Sequence, residues 1–170
     1  TDMNRCYSSY DYLKCIEKLR NARPDIAFSS DFIVGFPGET DEDFEQTISL
    51  VEEVMYAQAY SFKYSPRPNT RAAIMENQIP EEIKEERLAI LQNLLNAQQK
   101  QYNDQFVGLE TTVLLEEEGK HDQQLVGKTP YYQAVSMHNM NAEYAIGDIV
   151  KVKIIDSLSH SLSGEIIDVL

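Results

Sequence analysis

Two groups of residues in this 170-residue chain have the types and spacing needed for chemistry. The first is the glycine-rich segment 35–40 (GFPGET), which follows an apolar stretch and leads into three acids. Such a turn before a helix can bind phosphate through backbone N–H groups. This one lacks the Lys-Ser/Thr pair of a P-loop and the three glycines of a dinucleotide fingerprint, and its acids would repel phosphate. Two alternatives remain: a tight turn between a strand and a helix, or a loop at the ligand-binding mouth of an α/β barrel.

The two cysteines, Cys6 and Cys15, form the second group. Eight residues separate them, a spacing that matches no zinc or iron–sulfur motif, so we predict that this chain ligates no metal. Sparse cysteine usage is typical of a reduced protein of the cytoplasm, which is where we expect this one to act. The acid-rich segments 41–53 and 81–86 are interpreted as solvated helix faces, because no histidine accompanies them.

Charge and hydropathy narrow the class of protein. The formal net charge is −13, with 18 acids and 11 bases up to residue 104 and 10 acids and 4 bases after it. Neither part has the basic balance of a strong nonspecific nucleic-acid binder, so any contact with RNA needs a local patch. No apolar run approaches the ~18 residues of a membrane-spanning helix, and we expect no membrane partner. The N-terminal residues fit neither a secretory signal nor a natural start, so we expect a piece of a longer protein.

Helices and strands alternate in the first part of the chain, which predicts an α/β fold. A serine at position 8 or 9 can cap a helix over residues 8–22. Residues 26–34 then predict a parallel strand buried on both faces, because the second half is nearly all apolar. Thr40 can cap the next helix, and residues 59–64 form the next strand. The apolar stripe predicted for the helix after Thr40 comprises Phe44, Ile48, Val51 and Met55.

The period of the apolar residues changes after a long helix that ends near residue 104. Four later segments are strand-like and separated by glycines, which predicts a small antiparallel β-barrel. We therefore predict two domains, an α/β domain over residues 1–104 and a β-barrel over residues 105–170. The four segments are ETTVLLEEE (110–118), QAVSM (133–137), DIVKVKII (148–155) and GEIIDVL (164–170).

Several ordered blocks of the chain resemble one family, the radical-SAM tRNA methylthiotransferases (MiaB family). They are MNRCYSSYDYLKCIEKLR, SSDFIVGFPGETDEDFEQT, AYSFKYSPRPNTRAA and QIPEEIKEERLAILQNLLNAQQ. VGKTPYYQAV and SLSHSLSGEII fit the TRAM domain that ends these enzymes. The resemblance implies the C-terminal portion of a partial (β/α) TIM-like barrel followed by an OB-like TRAM barrel. The family pattern usually has glycine where Asn69 stands, and asparagine also tolerates the left-handed backbone angles of such a position.

The resemblance also implies an activity, namely transfer of a methylthio group to an isopentenylated adenosine next to the tRNA anticodon. Its cofactors are S-adenosylmethionine and two 4Fe-4S clusters, one held by a CxxxCxxC motif and the other by three cysteines of a preceding domain. Cys6 and Cys15 match neither set. We therefore expect the fragment alone to release no 5′-deoxyadenosine, and we expect the anticodon stem-loop as partner.

The site residues below are implied by the same resemblance. For each there is a structural alternative: Ser30 and Asp31 could satisfy neighbouring polar groups, the aromatic residues could belong to the core, and the cations could lie on solvated faces. His121 and Tyr132 add aromatic surface to the barrel. The residues expected near the cofactor are Arg5, Ser30, Asp31, Ile33, Val34, Gly35, Phe62 and Tyr64. The residues expected near RNA are Lys63, Arg67, Lys120, Lys128, Tyr131, Lys151 and Lys153.

Two other functions remain open. The sister family methylthiolates an aspartate of a ribosomal protein, and it has a YS-E-GT pattern where this chain has KYSPRPNTRAA. The third function is a noncatalytic RNA-binding adaptor, with a TRAM barrel on a vestigial α/β scaffold.

Overall fold

A computed structural model describes residues 7–138 and 144–170 of the chain. The chain divides into two compact units, Thr1–Leu95 and Asn96–Leu170, and the division falls inside its longest helix. None of the helices in these described residues is long and apolar enough to cross a membrane. The predicted boundary between residues 104 and 105 stays a prediction.

The first unit alternates helices and strands, as the sequence predicts. Two parallel strands pair with each other, and the helices pack against one face of the pair. In chain order the elements are helix α1 (Ser9–Ala22), strand β1 (Ser29–Val34), helix α2 (Asp41–Val54), strand β2 (Gln58–Lys63), a short 3₁₀ helix (Ala72–Ile74) and the first part of helix α3 (Glu81–Asp104).

Side-chain caps fix where α1 and α2 begin. The Ser8 hydroxyl accepts a hydrogen bond from the backbone N–H of Asp11, and the Asp11 carboxylate accepts one from the backbone of Ser8. Thr40 and Asp43 form the same reciprocal pair at the start of α2, so the predicted caps are confirmed. The predicted stripe of α2 is wrong at Met55, which follows the helix in a left-handed conformation (φ 52°) and is 41% exposed.

Strands β1 and β2 are buried on one face only. Their parallel pairing is confirmed, with Ile33 opposite Phe62. Val34 lies in the apolar core formed with the helices and is 1% exposed. Ile33 points the other way and is 46% exposed, so burial on both faces is not what the structure shows. The prediction fails because no described element covers the second face. The apolar core comprises Ile16, Val34, Phe44, Val51, Val54, Tyr56, Leu91 and Leu95.

The second unit is a closed five-stranded barrel with strand order β3-β4-β5-β7-β6. All pairs are antiparallel except β5 with β7. The predicted fold class, an α/β portion followed by a small β-barrel, is therefore confirmed. Sequence reasoning missed β4. The strands are β3 (Glu110–Glu118), β4 (Gln124–Lys128), β5 (Ala134–His138), β6 (Ile149–Ser157) and β7 (Ser161–Val169).

The last turns of α3 belong to this second unit. Asn103 is 1% exposed, and its side-chain amide donates a 3.0 Å hydrogen bond to the Leu158 carbonyl. Its side-chain oxygen accepts a 2.9 Å hydrogen bond from Gln133, which is also buried. A buried amide with partners on two strand connections ties the helix end to the barrel.

Candidate cofactor face and RNA interface

Four side chains on the uncovered side of β1 and β2 form what we call the open face: Asp31, Ile33, Tyr60 and Phe62. Strand alternation places them together, because residues two apart point the same way and Asp31 lies opposite Tyr60 in the register. Tyr60 is 57% exposed and Phe62 is 54% exposed. Three apolar or aromatic side chains beside one carboxylate offer apolar contact area together with a hydrogen-bond acceptor.

Ser30 and Val34 lie on the opposite, helix-covered side of β1. The Ser30 side chain hydrogen-bonds Tyr56, whose hydroxyl lies 2.8 Å from that of Tyr12. Burial raises the pKa of Tyr56 well above its ordinary value, and the bond with Tyr12 adds to that shift. The structure therefore does not bring Ser30 and Val34 to the open face.

The glycine-rich segment 35–40 is a tight turn closed by a buried ion pair. The backbone N–H of Gly35 donates a 2.9 Å hydrogen bond to Glu39 Oε1, and the same oxygen lies 2.6 Å from Arg87 Nη1. Arg87 also donates to the Glu39 carbonyl and to Asp41. Gly38 N–H donates a 2.8 Å hydrogen bond to the Asn77 carbonyl, which joins the turn to the loop before α3. The turn's backbone is thus held by protein groups.

Gly35 needs to be glycine for two local reasons. Its φ of +73° lies in the left-handed region, and a Cβ there would come 2.2 Å from Lys84 Cγ. The group that approaches the Gly35 backbone from within the described residues is therefore a lysine side chain.

Sequence reasoning missed the role of Arg87. It lies on α3 one turn before Leu91, and both are buried. Because Arg87 and Leu91 are four residues apart, their side chains lie on the same side of α3. An arginine on the side of a helix that carries a core leucine is the signal that could have indicated a buried cation.

Tyr64 follows β2 at the carboxyl ends of the strands, where α/β barrels bind ligands. Its ring packs edge-on against Phe36 with 5.4 Å between centroids. Its hydroxyl is buried and has no hydrogen-bond partner among the described residues. An orphaned buried hydroxyl costs free energy, so Tyr64 fits a position that a bound ligand would complete.

The two cations near this end of β2 differ in their surroundings. Lys63 forms ion pairs with Glu81 and Glu85 of α3, and the hydrogen bond with Glu81 raises its pKa. Arg67 is exposed, and the structure records no ion pair for it among residues 7–138 and 144–170. Asn69 has φ 65°, a left-handed conformation that asparagine tolerates.

In the barrel, Lys151 and Lys153 lie among acids. Lys151 Nζ is 2.5 Å from Glu110 Oε2, and this hydrogen bond raises the pKa of Lys151. Lys153 lies opposite Glu110 on one side and Glu165 on the other. Of the two predicted phosphate-binding lysines, Lys151 is thus paired with an acid, and Lys153 lies between two acids in the strand register.

Lys128 ends β4 and is half-buried, and Lys120 is exposed in the preceding connection. Tyr131 is half-buried, with its ring 5.6 Å from Phe106. Tyr132, the next residue, is 77% exposed. Of the two neighbouring tyrosines, the second is the more exposed.

Arg5 lies outside the described residues. Within those residues no group of three or more His, Cys, Asp or Glu side chains could hold a metal ion. Cys15 is exposed and not in a disulfide. A groove of about 780 Å³ lies between α2 and α3, on the helical side of the sheet rather than on the open face. Its walls include the ion pair between Asp41 and Arg87.

Two family models match separate parts of the chain. Residues 1–51 match the radical SAM superfamily, and residues 104–167 match the TRAM domain. The two matches occur in the same order as the α/β unit and the barrel.

Curated relatives match nearly the whole chain. The tRNA-2-methylthio-N(6)-dimethylallyladenosine synthase of Rickettsia canadensis (strain McKiel) is 54% identical over 164 residues, covering 96% of this chain and 36% of the relative. The proteins of the same name from Ehrlichia ruminantium (strain Welgevonden) and Erythrobacter litoralis (strain HTCC2594) are 51% and 49% identical, over 95% and 98% of this chain. The chain spans 36% of the length of each of these relatives. Over nearly its whole length the chain is therefore similar to these tRNA methylthiotransferases, with one segment that matches the radical SAM superfamily and one that matches the TRAM domain.

Proposed function

We propose that this chain is part of an enzyme that adds a methylthio group to an isopentenylated adenosine next to the anticodon of a tRNA in the cytoplasm. The observation that carries the proposal is the open face. Two parallel strands expose Ile33, Tyr60 and Phe62 on the side away from their helices, which is the side that faces inward in an α/β barrel. Relatives that carry the name of this activity at 49–54% identity support it.

We propose that the open face holds S-adenosylmethionine. Ile33 and Phe62 would pack against its adenine, the Asp31 carboxylate would accept a hydrogen bond from a ligand donor, and the Tyr64 hydroxyl would gain the partner it lacks. The bound cofactor would supply the radical and the methyl group, while two 4Fe-4S clusters are held by other parts of the longer protein. Arg67, which is exposed and unpaired within the described residues, would meet the cofactor carboxylate or an RNA phosphate.

Cofactor binding tests the open face separately from catalysis. In the full-length protein that contains this chain, Ile33→Glu should weaken S-adenosylmethionine binding by at least about tenfold, because it puts a second carboxylate where the adenine packs. Ile90→Glu is a matched control, since Ile90 on α3 is 45% exposed and Ile33 is 46% exposed. Isothermal titration calorimetry gives both affinities, and equal losses in the two variants would contradict the assignment.

Activity is tested by product analysis. The full-length protein, reconstituted with iron and sulfide without oxygen, should convert isopentenyladenosine in tRNA to its methylthio derivative when given S-adenosylmethionine and a reductant. The nucleosides of digested tRNA are identified by mass spectrometry. The present chain alone should release no 5′-deoxyadenosine, because two cysteines cannot hold either cluster.

The same assay decides between this function and the two alternatives. Methylthiolation of a ribosomal-protein aspartate instead of tRNA would indicate the sister activity. Binding of tRNA without turnover or cluster formation would indicate an adaptor.

A further inference from the structure

The groove between α2 and α3 is a feature of the α/β unit that the proposed function does not use. It has a volume of about 780 Å³, and two buried side chains lie at its base. Phe44 is 9% exposed and Arg87 is 6% exposed, and the Arg87 guanidinium lies 5.6 Å from the centre of the Phe44 ring. The residues that line the groove all belong to the α/β unit, so it is a surface of that unit alone.

Aliphatic side chains form much of the walls of this groove. Ile83 and Ile90 of α3 are 38% and 45% exposed, and Ile48 of α2 is half-buried on the other wall. Ile83 and Ile90 are seven residues apart, which corresponds to about two helical turns, or about 10 Å along the axis. Outward positions of a solvated helix are usually polar. Aliphatic side chains that line a groove and are rimmed by polar ones are typical of a docking surface.

The charge around these walls is negative. Glu45 of α2 and Glu86 of α3 line the groove and are exposed, and the structure records no ion pair for either within the part of the chain that it describes. Arg87 is the only cation among the described residues of the lining, and its charge is already opposed by Glu39 and Asp41. Two unopposed carboxylates thus lie beside aliphatic walls, which favours an occupant that is both apolar and cationic.

We propose that this groove docks an amphipathic helix of a partner protein, with aliphatic side chains on one face and lysine or arginine along the edges of that face. The aliphatic side chains pack against Ile83 and Ile90 over two turns, and the cations pair with Glu45 and Glu86. A nucleic acid does not fit the groove, because the same two carboxylates repel phosphate. The inference is independent of the proposed function, since none of the groove residues lies on the open face.

A synthetic peptide of about 18 leucine and lysine residues, with the leucines on one helical face, is the probe. Fluorescence anisotropy of the labelled peptide gives its affinity for the full-length protein that contains this chain. Ile90→Glu should weaken binding about tenfold, because it puts a carboxylate in the aliphatic wall. Ile33→Glu is the matched control, since Ile33 on the open face is 46% exposed and Ile90 is 45% exposed. Equal affinity of Ile90→Glu and wild type would overturn the proposal.

The arrangement of the leucines is tested with a second peptide. It has the same composition, but its leucines are spread around the helix, so it should bind about tenfold more weakly than the amphipathic peptide. Equal binding of the two peptides would show that only the positive charge is recognised, which would refute the groove as a docking site.

A pair of double variants tests the charge argument. Glu45→Gln combined with Glu86→Gln should weaken binding of the amphipathic peptide about fivefold at low salt and reduce its dependence on salt. Glu17→Gln combined with Glu118→Gln removes the same charge at exposed positions of α1 and β3, and should change the affinity less than about twofold. Equal losses in the two double variants would indicate attraction to the net charge of the protein and contradict the proposal.

A measurement on the wild-type full-length protein covers the case in which a variant fails to fold. Carboxylates are coupled to glycine ethyl ester with a carbodiimide, and the labelled positions are read by mass spectrometry. Glu45 and Glu86 should lose label when the amphipathic peptide is added, while Glu17 should keep it. Unchanged labelling of Glu45 and Glu86 by bound peptide would overturn the inference.

The same labelling without peptide decides between a partner protein and other occupants. Glu45 and Glu86 should be labelled as readily as Glu17 in the free full-length protein. Weak labelling at every concentration would show that another part of the longer protein covers the groove, and labelling that rises on dilution would show that a second copy does. Either result would overturn the assignment to a partner protein and leave the proposed function intact.

Discussion

Single residues decide how the glycine-rich turn is held. Glu39 joins the Gly35 N–H to Arg87, and the side chains of Glu39 and Arg87 are 13% and 7% exposed. A buried carboxylate without its cation is costly, so the ion pair fixes the turn more strongly than an exposed pair could. Lys63, whose side chain is 40% exposed, forms ion pairs of the weaker, exposed kind.

Arg87→Met tests the buried pair. The change should lower the free energy of unfolding by about 3 kcal/mol, because Glu39 would remain buried without its partner. Urea denaturation of this chain, followed by circular dichroism, gives the value. Lys63→Gln serves as the control and should leave the unfolding midpoint nearly unchanged. A loss no larger for Arg87→Met than for the control would show that the ion pair does not hold the turn.

The carboxyl group of Glu81 should titrate far below its usual range. Hydrogen bonds from Lys63 and Lys84 lower its pKa from 4.5 to about 2. Since the folded-state pKa lies below the ordinary one, its contribution to stability is complete above pH 4.5 and is lost as the pH falls toward 2. Carbon-detected NMR titration of the carboxyl signal should show the low midpoint, and Lys63→Gln should move it upward. An unchanged midpoint in that variant would contradict the assigned cause.

At the scale of elements, close packing decides whether the barrel closes. A Cβ at Gly127 in β4 would lie 2.3 Å from the Leu114 carbonyl oxygen and 2.5 Å from Val113 Cγ1. The carbonyl belongs to the backbone of the neighbouring strand, so it cannot move aside without disturbing the pairing of β3 with β4.

Gly127→Ala should therefore destabilise the barrel by about 1–3 kcal/mol, the usual cost of overpacking a tight interior. Thr112→Ala, a change at an outward position of β3, is the comparison. Thermal unfolding monitored by circular dichroism measures both. If Gly127→Ala unfolded at the wild-type temperature, the close contact between the strands would be disproved.

At the scale of the whole molecule, the open question is where the second domain begins. The sequence predicts residue 105, whereas the compact second unit begins at Asn96. The Asp104 carboxylate accepts a hydrogen bond from the Ser157 hydroxyl. Another hydrogen bond, from Lys100, holds the pKa of Asp104 below its ordinary value. Together with Asn103, these contacts make the end of α3 part of the barrel unit.

Two fragments test this boundary. Residues 96–170 should unfold cooperatively, while residues 105–170 should unfold at a clearly lower temperature, because Gln133 and the Leu158 carbonyl would lose their buried partner Asn103. Differential scanning calorimetry compares the two. Equal midpoints would favour the boundary predicted from the sequence.

The sequence by itself determined the alternation of helices and strands in the first unit, a serine cap at position 8 or 9, the cap at Thr40 and the similarity to the family, because these depend on local spacing and on ordered motifs. Only the tertiary structure decided which side of β1 is open, that Arg87 is buried against Glu39, and that Lys151 is paired with Glu110 while Tyr132 is exposed. Strand alternation says that neighbouring side chains point in opposite directions, but not which side a helix will cover. Ion pairing joins residues that are 41 to 48 positions apart, as in Lys151 with Glu110 and Arg87 with Glu39, so no local pattern reveals it.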